Sequence, residues 1–300
     1  PLRSRTFTDL IAILDAEGEK DEATALKVAS AIKSYGNGET NARGQIEGLA
    51  RNGVADRAKA EAQELAAFLA ARKELPAEWA AAPAELEKVL AAERAGQERR
   101  FFLEEVERLS GYLGSALSAV RRADERRKPD LDREAGFQER DLDRARQREK
   151  DLTRSLAPVP ARKALAYLVE KAQAASAGMP VKAFDEAFGK GAAAAAIEAR
   201  LAEMDGATAL GDEKARLANV DAKWEALAAS TDPYVKLALA LHPDLAALRA
   251  ARKETGGALL VWRPRYLSAL EALRKSKGKS IYPDANSTLR VSFATVKGYA

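Results

Sequence analysis

The 300-residue chain has no cysteine and a single histidine, His242, and these two shortages remove several kinds of chemistry at once. Without cysteine there is no disulfide framework, no zinc ribbon and no thiol nucleophile, although the absence suits reducing and oxidising compartments equally. Imidazole and thiolate metal sites lack ligands, and an all-carboxylate site would need clustering that the alternating charges do not show, so neither a metal nor a cofactor is expected. Aromatic residues make up only 6% of the chain. No run of about 18 apolar residues occurs, so no segment is expected to span a membrane. Residues 1–8 carry charge and no apolar stretch of the signal-peptide kind. The reading at this point is a cytosolic protein or a chain whose true N-terminus has been cut away.

What the chain does contain is alanine and charge. Long stretches such as residues 55–72 are built almost wholly from good helix formers, which predicts a mainly α fold. The net charge of +4 is the small remainder of 49 basic and 45 acidic residues. The two signs are interspersed, as in residues 139–154, and that pattern belongs to solvated helix faces rather than to a nucleic-acid footprint.

Apolar spacing and stop signals predict a first helix starting at Thr8-Asp9 and ending at Gly18, and a second over about 21–34 with Ala25, Val28, Ala29 and Ile32 on one stripe. Tyr35-Gly36-Asn37-Gly38 reads as a helix break that presents a polar side chain. Helix is expected to resume over 41–52, stop near Gly53 and return through Lys73. Pro76 and Pro83 bracket a predicted connection holding Trp79, followed by one or two long helices over 84–127. Lys128-Pro129-Asp130 ends that run, and residues 131–140 read as an ordered loop. Further helices are expected over 142–156, 161–175, 180–188, 192–204, 212–229, 232–241, 243–255 and 264–275, three of them opening on a proline. The pattern changes after Lys279: residues 287–293 alternate polar with apolar and predict a strand, with 295–297 as its continuation. A single strand needs sheet partners, so the expectation is that they lie in sequence beyond this chain.

The chemistry open to such a chain is narrow. A serine triad needs a histidine base, and His242 stands at a predicted helix end with no serine near it in sequence, the position of a packing residue. Gly189-Lys190-Gly191 follows no strand and reads as a turn between helices rather than a phosphate loop. An acid–base role for Asp284 with a distant glutamate finds no support in the pattern. Heptad spacing does not persist from 84 to 127, so bundle packing is favoured over a coiled-coil module. Trp79, Trp224 and Trp262 read as packing residues.

Five stretches, in order, carry a resemblance to a known family. They are Ala25 to Ser30 with Asn37 and Asn41-Ala42-Arg43-Gly44-Gln45; Lys128 to Asp141; Asp232-Pro233-Tyr234-Val235-Lys236-Leu237-Ala238; Arg263-Pro264-Arg265-Tyr266; and Pro283 to Arg290. Together they resemble the dipeptidyl-peptidase 7/11 family of serine peptidases. The resemblance implies an exported or periplasmic enzyme that removes dipeptides from peptide N-termini, with a chymotrypsin-like double β-barrel and an inserted helical domain capping the cleft. On that basis residues 1–280 are the helical cap and 281–300 the start of the returning barrel. The family's histidine and aspartate precede the insertion and its serine follows it, so no catalytic residue is assigned here and the chain alone is expected to be inactive. The resemblance carries over one site residue, Asn37, whose amide oxygen would accept a hydrogen bond from the substrate's free α-amino group; Asn41 is the alternative register. Arg133 and Arg140 are expected to be ion-paired structural residues. The implied partners are a peptide with a free N-terminus and the β-barrel domain, with a homodimer neither demanded nor excluded. The rival reading is a non-enzymatic helical scaffold that binds other proteins, for which a final lone strand has no use.

Overall fold

The computed structural model describes residues 1–176, 178–279 and 295, and the fold is mainly α. The strand predicted at 287–293, together with Asp284, lies outside the described residues. The helices are α1 (Leu2–Gly18), α2 (Glu22–Arg51), α3 (Val54–Ala71), α4 (Ala77–Ala95), α5 (Gln97–Arg108), α6 (Tyr112–Glu125), α7 (Leu142–Ser155), α8 (Pro158–Ala174), α9 (Lys182–Phe188), α10 (Ala194–Ala207), α11 (Glu213–Asp221), α12 (Trp224–Ala228) and α13 (Pro233–Ser276). The chain divides into two units, residues 1–55 with 91–256 and residues 56–90 with 257–300.

The first unit is a bundle in which α1 packs on α2, α8 on α5 and α10, and α6 on α11. Its core includes the fully buried Leu10, Leu103, Leu168, Phe184, Leu201 and Leu241. In the second unit, Leu65 and Leu69 of α3 pack against Ala269, Leu270 and Leu273 of α13, with Trp79 and Tyr266 at the edge. Arg274 Nη2 reaches Glu61 Oε1 at 2.6 Å on the same pair of helices.

Several sequence expectations are corrected, each for a local reason. Helix α1 begins at Leu2, and Thr8 lies inside it with its hydroxyl donating back to Ser4 O at 3.1 Å, so it does not act as a cap. Asp21 does cap α2, accepting from Ala23 N and Thr24 N. There is no break at residues 35–38. Helix α2 runs unbroken through Gly36, Asn37 and Gly38 to Arg51, and the turn comes only at Gly53, whose φ of +56° lies in the left-handed region that glycine favours. The reason for Gly38 is steric. A Cβ there would stand 2.5 Å from Phe7 Cε2 and 2.8 Å from Cδ2, so its glycine lets α2 lie against the Phe7 ring of α1.

The prolines are also read differently by the tertiary structure. Pro83 lies inside α4, and the connection predicted around Trp79 is helical from Ala77. The three helices expected over 232–275 form the single α13, with Pro243 and Pro264 inside it. An interior proline removes a hydrogen bond and costs ~3 kcal/mol, yet Tyr234, Val235, Ala238, Leu241 and Leu245 are buried on one stripe that continues across Pro243. Burial of that stripe outweighs the local penalty. The long run over 84–127 is instead broken, at Gly96 and at Leu109–Gly111, and the predicted 212–229 helix divides into α11 and α12.

The loop expected over 131–140 is ordered by its own carboxylates. Glu125 Oε2 accepts from Glu134 N at 2.9 Å, Asp130 Oδ1 from Glu139 N at 2.8 Å, and Asp141 Oδ2 from Gly136 N and Gln138 N. The Arg121 and Arg122 guanidiniums lie 4.4 and 5.3 Å from the Phe137 ring centre.

Candidate functional site

The first unit holds a half-open pocket of about 420 Å³, walled by α1, α2 and α5 and by the segment joining α7 to α8. Its floor is apolar, from Phe7, Leu14, Val28, Leu109 and Pro160. Set into it is Glu105, only 4% exposed, bonded by Arg108 Nη1 at 3.0 Å. Burial pushes the Glu105 carboxyl above the usual carboxylate range, with Arg108 opposing the shift. Burial, and the charge of Glu105, push the neighbouring Tyr35 hydroxyl up to about 12. The rim carries Arg3 and Lys27 and the hydroxyls of Ser30, Ser34, Ser110 and Ser155.

The raised Glu105 value has a pH consequence. A carboxyl whose folded pKa exceeds its unfolded value of ~4.3 stabilises the fold fully below that value, and the contribution is lost as pH rises through the folded pKa. Stability should therefore decline over that interval, and Glu105→Gln should flatten the decline, read as urea midpoint against pH. A Gln variant with the wild-type pH profile would remove Glu105 from the account, leaving Glu149, whose carboxyl burial also raises.

Asn37 is exposed on α2, and no hydrogen bond engages its amide among the described residues. Asn41, one turn further on, accepts from Gln45 Nε2 at 3.0 Å, so its amide oxygen is already engaged. Because α2 is continuous, Ser30, Ser34, Asn37 and Asn41 recur at i, i+4, i+7 and i+11 and stand on one helical face. Ser30 and Ser34 of that face line the pocket. Gly38, beside Asn37, also approaches the pocket: a Cβ on it would stand 3.5 Å from Arg3 Nη2. The sequence reading missed Glu105, Arg3 and Lys27. The polar spacing along α2 was the available signal, hidden by the assumed break at 35–38.

The other sequence candidates fall into structural roles. His242 Nε2 lies 3.1 Å from Asp124 Oδ2, and its ring packs 5.7 Å from that of Trp224, which Arg127 covers from 5.6 Å. Arg133 pairs with Asp130 at 2.8 Å and Glu139 at 3.5 Å, as its ion-paired reading expects, whereas Arg140 is exposed. Gly189 and Gly191, both at positive φ, make the turn between α9 and α10. Trp79 and Trp224 pack at the margins of the two cores, and Trp262 carries the Arg265 guanidinium at 5.2 Å. Among the described residues no group of three or more His, Asp or Glu side chains could hold a metal ion, and no helix is long and apolar enough to cross a membrane.

The chain is 31% identical over 305 residues to the Asp/Glu-specific dipeptidyl-peptidase of Shewanella putrefaciens. The match takes in 100% of this chain and 40% of that relative, so the chain spans well under half of its length. The Peptidase S46 family matches residues 1–300. On that whole-chain match, with the relative beside it, the protein described here belongs to the peptidase S46 family.

Proposed function

We propose that this chain is the helical part of an exported serine dipeptidyl-peptidase, and that Asn37 helps hold the α-ammonium group of the peptide whose N-terminal dipeptide is released. The observation that carries the reading is the exposed, unengaged amide of Asn37 on the face of α2 that also lines the pocket. An amide oxygen accepts from an ammonium without adding a charge that would need its own partner. A fixed distance from that oxygen to the scissile carbonyl counts off two residues, which converts binding into positioning. The bond-breaking groups are supplied by the rest of the polypeptide, over whose cleft the helical part closes. Residues 1–280 are assigned to this cap and 281–300 to the returning barrel.

The test is dipeptide release by the full-length protein from fluorogenic dipeptide substrates. Asn37→Ala should lower kcat/KM by roughly tenfold or more, the worth of one hydrogen bond to a charged group. Asn41→Ala should have the smaller effect. Release at the wild-type rate by Asn37→Ala would reject the anchor, and no release by the wild-type protein from any dipeptide substrate would reject the peptidase reading.

A further inference from the structure

We propose that the pocket walled by α1, α2 and α5 is a binding site for a small amphipathic carboxylate, the acidic side chain or terminal carboxylate of a short peptide. Three features point to that ligand. The volume of about 420 Å³ lies within the range of small-ligand sites, ~300–1,000 Å³. The charged lining is Arg3, Lys27 and Arg108 against one carboxylate, Glu105, so the pocket carries an excess of positive charge. Glu105 is already held by Arg108, which also reaches Glu104 at 3.4 Å. Arg3 and Lys27 have no carboxylate within ion-pair distance among the described residues, and Arg3 lies over the Phe7 ring of the floor, 5.1 Å from its centre.

The remaining lining selects the kind of anion. Phe7, Leu14, Val28 and Pro160 give an apolar floor that a bare inorganic anion would not use, whereas the body of a peptide side chain would be desolvated against it. The hydroxyls of Ser30, Ser34, Ser110 and Ser155 make no hydrogen bond to the protein among the described residues and stand at the rim as donors. A cationic ligand would face three positive side chains and find Glu105 occupied. The assignment rests on the pocket alone and not on the Asn37 anchor.

Isothermal titration calorimetry on the full-length protein tests it, with three N-acetylated probes that offer no ammonium group to Asn37. They are acetyl-Leu-Asp-amide, acetyl-Leu-Leu with a free terminal carboxylate, and acetyl-Leu-Asn-amide, which has no carboxylate. At least one carboxylate probe should bind roughly tenfold or more tightly than the neutral one, and Arg3→Ala with Lys27→Ala should remove that advantage. Both residues are exposed, so the variants should fold. Lys59→Ala, which removes an exposed cation elsewhere, should leave the affinities unchanged. Preference for the aspartyl probe assigns the pocket to acidic side chains, and preference for the free terminus assigns it to peptide ends. Equal affinity for all three probes, no binding of either carboxylate probe, or an unchanged advantage in the Arg3, Lys27 double variant would overturn the proposal. Because the probes lack the ammonium, failure here leaves the Asn37 result standing, and the reverse holds too.

Discussion

Replacing Arg216 by alanine should cost the helical bundle about 3–5 kcal/mol, the range measured when one partner of a buried ion pair is removed. Arg216 is fully buried, with 0% exposure. Its Nη1 donates to Leu210 O at 2.8 Å and Gly211 O at 3.2 Å, and its Nη2 to Glu149 O at 3.1 Å and Thr153 Oγ1 at 2.5 Å. Its Nε stands 3.4 Å from Glu149 Oε2, at ion-pair distance but without hydrogen-bond geometry. Glu149 is buried too and accepts from Ser115 Oγ at 2.7 Å. One side chain thus ties α7, α11 and the turn before α11 together, and α6 joins through Ser115. Truncation strands a buried carboxylate and several carbonyls. A double change of Arg216→Met and Glu149→Leu should recover much of the loss, since a well-packed apolar pair avoids both desolvation costs. Urea unfolding of the full-length protein, followed by helical circular dichroism, measures it. A single-variant loss below ~1 kcal/mol would show that water replaces the guanidinium and that the tie is weaker than its geometry implies.

The second large effect is expected at Gly38. Gly38→Val should destabilise by about 1–3 kcal/mol, because the added carbons meet the buried Phe7 ring and either that ring or the α1–α2 spacing must give. Gly36, two residues earlier on the same helix, has nothing within 4 Å of an added Cβ. Gly36→Ala should therefore gain up to ~1 kcal/mol from helix propensity alone. Opposite signs from two glycines flanking Asn37 would establish that close α1–α2 approach, and not turn formation, accounts for Gly38. Two losses of similar size would instead support a break in α2 around Asn37. Because Phe7 is the pocket floor and Arg3 its rim, Gly38→Val should also weaken carboxylate binding, whereas Gly36→Ala should not.

The candidate site was partly legible in the sequence. Asn37 was reached through its resemblance, on the assumption of a presented loop, and the structure places it on a continuous helix instead. Glu105, Arg3 and Lys27 were not legible, because each sits in a segment whose charge pattern is ordinary for a solvated helix face. Only the convergence of α1, α2 and α5 makes them neighbours. His242 is the converse case. Its rarity drew attention, and its packing between Asp124 and Trp224 accounts for it.

Composition and local pattern alone determined the mainly α class, the start of α2 near Asp21, the stop at Gly53, the Gly189–Gly191 turn and the ordered loop at 131–140. Each depends on local chemistry: propensity, a capping carboxylate, a positive φ, a proline that ends a helix. What only the tertiary structure decided is where local signals are overruled. Gly36 and Gly38 signal a break, and Pro243 and Pro264 signal helix starts, yet all four lie inside continuous helices. A glycine or interior proline costs about 1–3 kcal/mol locally, and what overrules it lies in tertiary packing that no short window of sequence contains: at Pro243 the buried stripe from Tyr234 to Leu245, at Gly38 the close approach of the Phe7 ring.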